Sequence, residues 1–153
     1  MTTRIDLDDT DRTIIRELQR DGRISYADLA PIAGLSAPAT RQRVQRLMDS
    51  GLLQVVAVTD PLALGLPVMA MVGIAVDGDI RAVADAIAEV DNVIYVVLTS
   101  GSFDLFAEVV CADMDGLFAV VNDHIKALPG VRATESFVYF EIHTHRFTWD
   151  IPG

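Results

Sequence analysis

The stretch "GLSAPATRQRVQRLMDSG", Gly34–Gly51, decides the fold of the first third of the chain. It sets three arginines against one aspartate in a protein whose net charge is -10. Gly34 offers the left-handed backbone that ends a helix. Ser36 then caps the next helix, and Pro38 is tolerated because it falls in the first turn, where amide donors lack partners anyway. Gly51 closes the segment. At about 100° per residue, Thr40, Val44 and Leu47 gather on one side of this helix, with Met48 also read as inward. Pro38, Gln42, Gln45 and Arg46 fall on the opposite side, and Arg41 and Arg43 flank them.

Upstream, Ile14, Ile15 and Leu18 recur at spacings that mark one helical face. "RDG" ends that helix at Gly22. Ser25 opens a second one, with Asp28 in capping-box position and Leu29, Ile32 and Ala33 as its apolar face. Pro31 conflicts with an unbroken second helix and predicts either a kink or a start later than Ser25. Two short helices about a "GLS" turn form a helix-turn-helix, whose second helix enters the major groove of DNA. Glutamine and arginine read base edges bidentately and flanking arginines neutralise phosphates. The expected DNA-binding set is therefore Ser36, Pro38, Arg41, Gln42, Arg43, Gln45 and Arg46.

The charge distribution agrees with a division of labour. Residues 1–60 hold eight Arg against nine Asp/Glu, and residues 61–153 hold four Lys/Arg against thirteen Asp/Glu. Local field rather than net charge governs contact with an acidic polymer. The sole cysteine, Cys111, lies in an apolar run; it excludes an intrachain disulfide and reads as a buried, inert thiol. The first residues lack the apolar core of a signal peptide, and no apolar run approaches the ~18 residues of a spanning helix. A cytoplasmic protein without membrane partners is expected.

Beyond Gly51, "LLQVVAVTDP" reads as a strand-like connection ending at Pro61. The pattern then gives a strand over Val68–Val76, a helix over Ile80–Val90, strands over Val93–Thr99 and Leu105–Val110, a helix over Met114–Leu128, and a long strand over Val131–His145. Leu117, Phe118, Val121 and Ile125 are its second helix's inward stripe. The order β-α-β-β-α-β is ferredoxin-like. The expected fold class is thus α+β: a winged helix-turn-helix in residues 1–53, a linker strand or hinge in 54–65, and a ferredoxin-like domain in 66–153. Both faces of the first strand are apolar, Val68, Ala70, Val72 and Ile74 alternating with Met69, Met71 and Gly73. Two helices cover one side of a sheet, so a second chain is expected on the other.

Catalytic patterns are lacking: there is no Gly-rich phosphate loop, no HExxH and no G-x-S-x-G. His143 and His145 alternate on the last expected strand and share a face, but two histidines make an incomplete metal site. Neither catalysis, cofactor nor metal is expected. An amino-acid-binding, oligomeric module whose helix-turn-helix serves only protein contacts is the competing reading.

"LDDTDRTIIRELQRDGRISYADLA", "GLSAPATRQRVQRLMDSGLL", "LTSGSFDLFAEV" and "LPGVRATESFV", in this order and spacing, resemble the Lrp/AsnC (feast/famine) transcriptional regulators over nearly the whole chain. The resemblance implies DNA binding through the helix-turn-helix, homodimers that assemble further into octamers, and an amino-acid effector held between dimers. By position it implies that Leu98, Thr99, Gly101, Ser102, Phe103 and Asp104 form the effector loop, with Thr134 and Ser136 contributed by a neighbouring dimer. The family often carries an acid directly after the loop glycine, where this chain has Ser102. In the loop itself, Gly101 permits a turn with free amides suited to a carboxylate, and Asp104 suits an ammonium. From these residues alone a plain hairpin turn capped by Asp104 is the favoured reading, and the resemblance reverses that preference.

Overall fold

The computed structural model describes residues 6–146, 149 and 151. The chain divides into two compact units, one of residues 1–58 with 144–153 and one of residues 59–143.

The first unit holds three helices, α1 (Asp9–Arg20), α2 (Tyr26–Ile32) and α3 (Ala37–Asp49). Each begins on a side chain that accepts a backbone N–H: Asp8 from Asp11, Ser25 from Asp28, and Ser36 from Ala39. At α1 the box is reciprocal, because the Asp11 carboxylate also accepts from the Asp8 amide. The helices close on Ile14, Ile15, Leu18, Leu29, Val44, Leu47 and Leu53, with Leu7, Ile24, Ala33, Leu35 and Ile151 packed against them. Truncating a residue as enclosed as Leu47 (1% exposed) to Ala removes about 2–5 kcal/mol from this unit.

Pro31 does not delay α2. The helix starts directly after Ser25 and ends one residue past the proline, so the lost N–H falls in the final turn. Ile32, expected on the apolar face, is half exposed at that end, and Ala30 is buried instead. Met48 is likewise outward: it stands one step, about 100°, from Leu47, while the buried stripe runs Thr40, Val44, Leu47. Among the described residues no β-ladder lies between α3 and β1. The run expected as a connecting strand joins no ladder among the described residues; Leu53 packs into the helical core and Val55 lies near Gly22. Residues 61–65 are turns, with the Leu64 amide donating to the Asp60 carbonyl and the Leu66 amide to the Pro61 carbonyl.

The second unit is β1 (Val68–Val76), α4 (Ile80–Ala88), β2 (Val93–Leu98), β3 (Leu105–Cys111), α5 (Met114–Ala119) continuing as a π turn over Val120–Ile125, and β4 (Val131–Val138). The strands form one antiparallel sheet in the order β2-β3-β1-β4. One face carries the core: Ala70, Val72, Ile74, Leu105, Ala107 and Val109 beneath Val83, Ile87, Leu117, Val121 and Ile125. Cys111 belongs to this core, and burial pushes its thiol pKa up, as expected of an inert thiol.

Two expectations are corrected here. Phe118 is 67% exposed rather than inward. In a straight helix residues four apart drift by about 40°. The wider π turn, closed by the Lys126 amide on the Val121 carbonyl, cancels that drift. Leu117, Val121 and Ile125 then align inward, and Phe118 turns out with Asn122. The last strand stops at Val138, well short of His145. Its partner β1 begins at Val68, and pairing of Ala70 with Val138 leaves nothing further to bond except the Met69 carbonyl, which takes the Tyr139 amide. His143 and His145 therefore lie beyond the sheet and share no strand face.

Candidate DNA-binding and effector sites

The outer face of α3 forms an open trough of ≈ 790 Å³ lined by Tyr26, Ala37, Pro38, Arg41, Gln42, Gln45, Arg46 and Asp49. Five of the seven residues expected at DNA meet here. The opposite side of α3 is anchored: Thr40, Val44 and Leu47 are buried, and the Thr40 hydroxyl donates to the Ser36 carbonyl at 3.0 Å. Arg41 and Gln42 are exposed and bond to no other described side chain. Gln45 is oriented by its amide nitrogen, which donates to the Asp49 carboxylate at 2.8 Å. Ser36, the sixth, is engaged as the cap of α3.

Arg43 departs from the expected role of a flank for phosphate. Its guanidinium donates to Asp8 at 2.6 Å and to Asp11 at 2.9 Å. Arg46 also reaches Asp11, at 2.6 Å, while keeping 55% of its side chain exposed at the trough. The Asp11 side chain is 1% exposed, so α1 and α3 are joined by a buried carboxylate between two cations. The hydrogen bond from Arg43 holds the Asp8 carboxyl below its ordinary pKa, with help from the Asp11 amide. Hydrogen bonds to Asp8 and Asp11 raise Arg43 in turn. Asp11 had a visible signature: residues 11, 14, 15 and 18 are one helical stripe, so a carboxylate sits at a core position. Tyr26 and Asp49 also escaped the sequence reading, the first because it belongs to the preceding helix.

In the second unit the loop between β2 and β3 is closed by its own bonds. The Thr99 amide donates to the Asp104 carbonyl at 2.9 Å, and the Thr99 hydroxyl to the Phe103 carbonyl at 2.8 Å. Gly101 has φ 142, which a residue with Cβ resists. The amides of Gly101 and Ser102 donate to no described residue. Asp104 ties the loop to β1: its amide donates to the Ile74 carbonyl at 3.0 Å, and its Oδ2 accepts from the Val76 amide at 2.8 Å. Its other carboxylate oxygen bonds to no described residue.

Phe103 is not turned toward the loop tip. Its ring lies over Gly73, edge-on to Phe106 (5.5 Å) and Phe137 (6.3 Å), on the sheet face without helices. That face also bears Met71 and Glu108, the latter accepting from the Tyr139 hydroxyl at 2.9 Å. Leu98 is 44% exposed at the end of β2. Thr134 and Ser136 pair with Ile74 and Val72, both buried beneath the helices, so they stand on the opposite face of the edge strand from Phe103. One chain thus gathers Leu98 through Asp104 and does not bring Thr134 and Ser136 to them.

These features define a helix-turn-helix protein with a separate ferredoxin-like domain. Residues 7–48 match the AsnC-type helix-turn-helix domain and residues 69–148 the Lrp/AsnC ligand binding domain. The chain belongs to the Lrp/AsnC family of DNA-binding transcriptional regulators. It is 32% identical to the leucine-responsive regulatory protein of Escherichia coli over 89% of this chain and 86% of that one. The leucine response regulatory protein LrpA of Mycobacterium tuberculosis has a similar structure, with TM-score 0.87 and 28% identity over 95% of this chain and 100% of that one. A Neisseria meningitidis transcriptional regulator solved with L-Met shares the fold, with TM-score 0.81 and 23% identity over 96% and 97% of the two chains. No described helix is long and apolar enough to cross a membrane, and no group of three or more His, Cys, Asp or Glu among the described residues could hold a metal.

Proposed function

We propose that the trough on α3 reads operator DNA and that the loop closed by Thr99 and Asp104 holds an amino-acid effector. The observation that carries the first part is the two-sided character of α3. Val44 and Leu47 fix one side, while Arg41 and Gln42 stand free on the other beside Gln45, which Asp49 orients, with the geometry for phosphate and base-edge contacts. Support for the second part is the pairing of unbonded amides at Gly101 and Ser102 with an unbonded Asp104 oxygen. That combination matches the carboxylate and ammonium of a zwitterion. The Neisseria relative was solved with L-Met, and an amino acid is the ligand class proposed here.

The sheet face without helices, where Phe106 is half-buried and Phe137 exposed, supports a homodimer built sheet to sheet. Thr134 and Ser136 of another copy would complete the effector site, which accords with assembly toward an octamer. A dimer sets two α3 helices on successive major-groove turns, about 34–36 Å apart. The protein works on DNA in the cytoplasm and needs no metal or catalytic step.

Duplex affinity measured against salt, with and without each of the twenty amino acids, tests this reading. A steep salt slope, preference for a selected duplex over a scrambled one, and an effect of at least one amino acid are expected. A flat salt dependence would leave a protein-binding module, and a protomer of 16.6 kDa in light scattering would remove the dimer.

A further inference from the structure

We infer that Asp11, on α1, is the positioning residue that decides which cations of α3 meet DNA. The inference rests on the proposal that α3 reads DNA. Asp11 carries the one buried carboxylate among the described residues, with the side chain 1% exposed. Its two oxygens are divided between two arginines of the recognition helix: Oδ1 takes Arg43 at 2.9 Å and Oδ2 takes Arg46 at 2.6 Å. Asp8 adds a second acceptor to Arg43 at 2.6 Å. A buried carboxylate persists only while it is paired, so the two arginines cannot both leave for phosphates without stranding that charge in an apolar core.

The consequence concerns counterions. A protein cation adds to the salt dependence of DNA binding by replacing ions condensed on the phosphates. An arginine already neutralised by a carboxylate replaces none. Of the three arginines on α3, Arg43 is thereby withdrawn, Arg46 is shared between Asp11 and the trough, and Arg41 is fully available. The device lowers affinity for DNA of any sequence. It leaves Gln42 and Gln45 a larger share of the binding, which favours discrimination between sequences.

The test is a salt titration of the full-length protein on two probes: a random-sequence duplex, and the duplex enriched from that pool by the wild-type protein. Asp11→Asn should steepen the slope of log K against log salt by about one unit per recognition helix, because it frees Arg46 while Asp8 still holds Arg43, each released arginine giving about 0.9. It should raise affinity for the random duplex at low salt and narrow the ratio between the probes. A merely structural role would weaken both probes together and leave the slope alone. A folded Asp11→Asn protein with an unchanged slope overturns the inference. Should that variant not fold, Arg43→Gln and Arg41→Gln decide: the first should leave the wild-type slope unchanged and the second should flatten it by about one unit. Equal flattening by both overturns the inference. A wild-type protein without salt-dependent DNA affinity overturns the reading of α3 itself, and this one with it.

Discussion

The ring of Phe103 covers Gly73 so closely that a Cβ on the glycine would lie 2.6 Å from Cδ2 of the ring. Phe103 belongs to the loop proposed to hold the effector, and Gly73 to the second central strand from the edge, β1, on the face without helices. The loop is therefore fastened to the aromatic surface through which the protein is proposed to dimerise. Gly73→Ala should displace the ring and lower stability by about 1–3 kcal/mol, the usual effect of overpacking. Chemical denaturation measures it. An unchanged midpoint would show that the ring yields freely. If effector and assembly are coupled through this contact, the same variant should also blunt the effect of the amino acid on oligomeric state.

Asp104 has two roles that substitution can separate. Asp104→Ala removes the acceptor of the Val76 amide and unties the loop from β1, so both stability and effector binding should fall. Asp104→Asn keeps an oxygen for that amide and removes only the charge. It should unfold near the wild-type midpoint yet bind an amino acid at least tenfold more weakly by calorimetry. Retained affinity in the asparagine variant would exclude Asp104 as the ammonium partner.

Tyr139 gives an alkaline signature. Burial, with the Glu108 carboxylate beside its hydroxyl, pushes its pKa up to about 12 from 10.0. The folded state thus holds this proton more tightly than the unfolded chain. Its contribution to stability is complete below pH 10 and is lost as the pH rises through about 12. Tyrosinate absorbance should show one phenol titrating late, and Glu108→Gln should bring it earlier. An absorbance curve without a late step would contradict the contact.

Asp8 gives the acidic counterpart with the opposite sign. Its pKa is lowered from 3.8, first by the hydrogen bond from Arg43. The contribution is present above the unfolded value and is lost as the pH falls through the lower folded one. Melting temperature followed downward from pH 5 should decline more shallowly in Asp8→Asn than in the wild type. Parallel curves would mean that the Arg43 contact adds nothing at Asp8.

Much of this architecture is legible without coordinates, for identifiable reasons. Ser25 and Ser36 announce their helices because a capping oxygen acts on amides two or three residues away. Val68–Val76 is readable as a strand because it is a short unbroken apolar run, too short for a spanning helix, that "DGD" ends at once. The rest depends on partners that lie far away in sequence. The extent of β4 is set by where β1 begins, and the bonding of Arg43 by Asp8 and Asp11, more than thirty residues upstream. Phe118 turns on a local change of helical pitch that no periodicity reveals. Of the candidate sites, the polar face of α3 was readable from helical angles, whereas the inward fold of Phe103 required the empty space above Gly73.

The ion pairs between α1 and α3 bear on how such a regulator could be retargeted. A recognition helix is tempting to exchange as a cassette, since its reading face is continuous in sequence from Ser36 to Asp49. Here Arg43 and Arg46 carry their counter-charges on another helix. Grafted onto a scaffold with an apolar residue in the place of Asp11, they would arrive with two uncompensated guanidinium groups and grip any duplex. A graft onto this scaffold that lacks them would strand a carboxylate in the core. On the proposed reading of α3, the unit to exchange is the block from Leu7 to Asp49, and chimaeras joined at its edges should keep their operator choice where those joined at the "GLS" turn lose it.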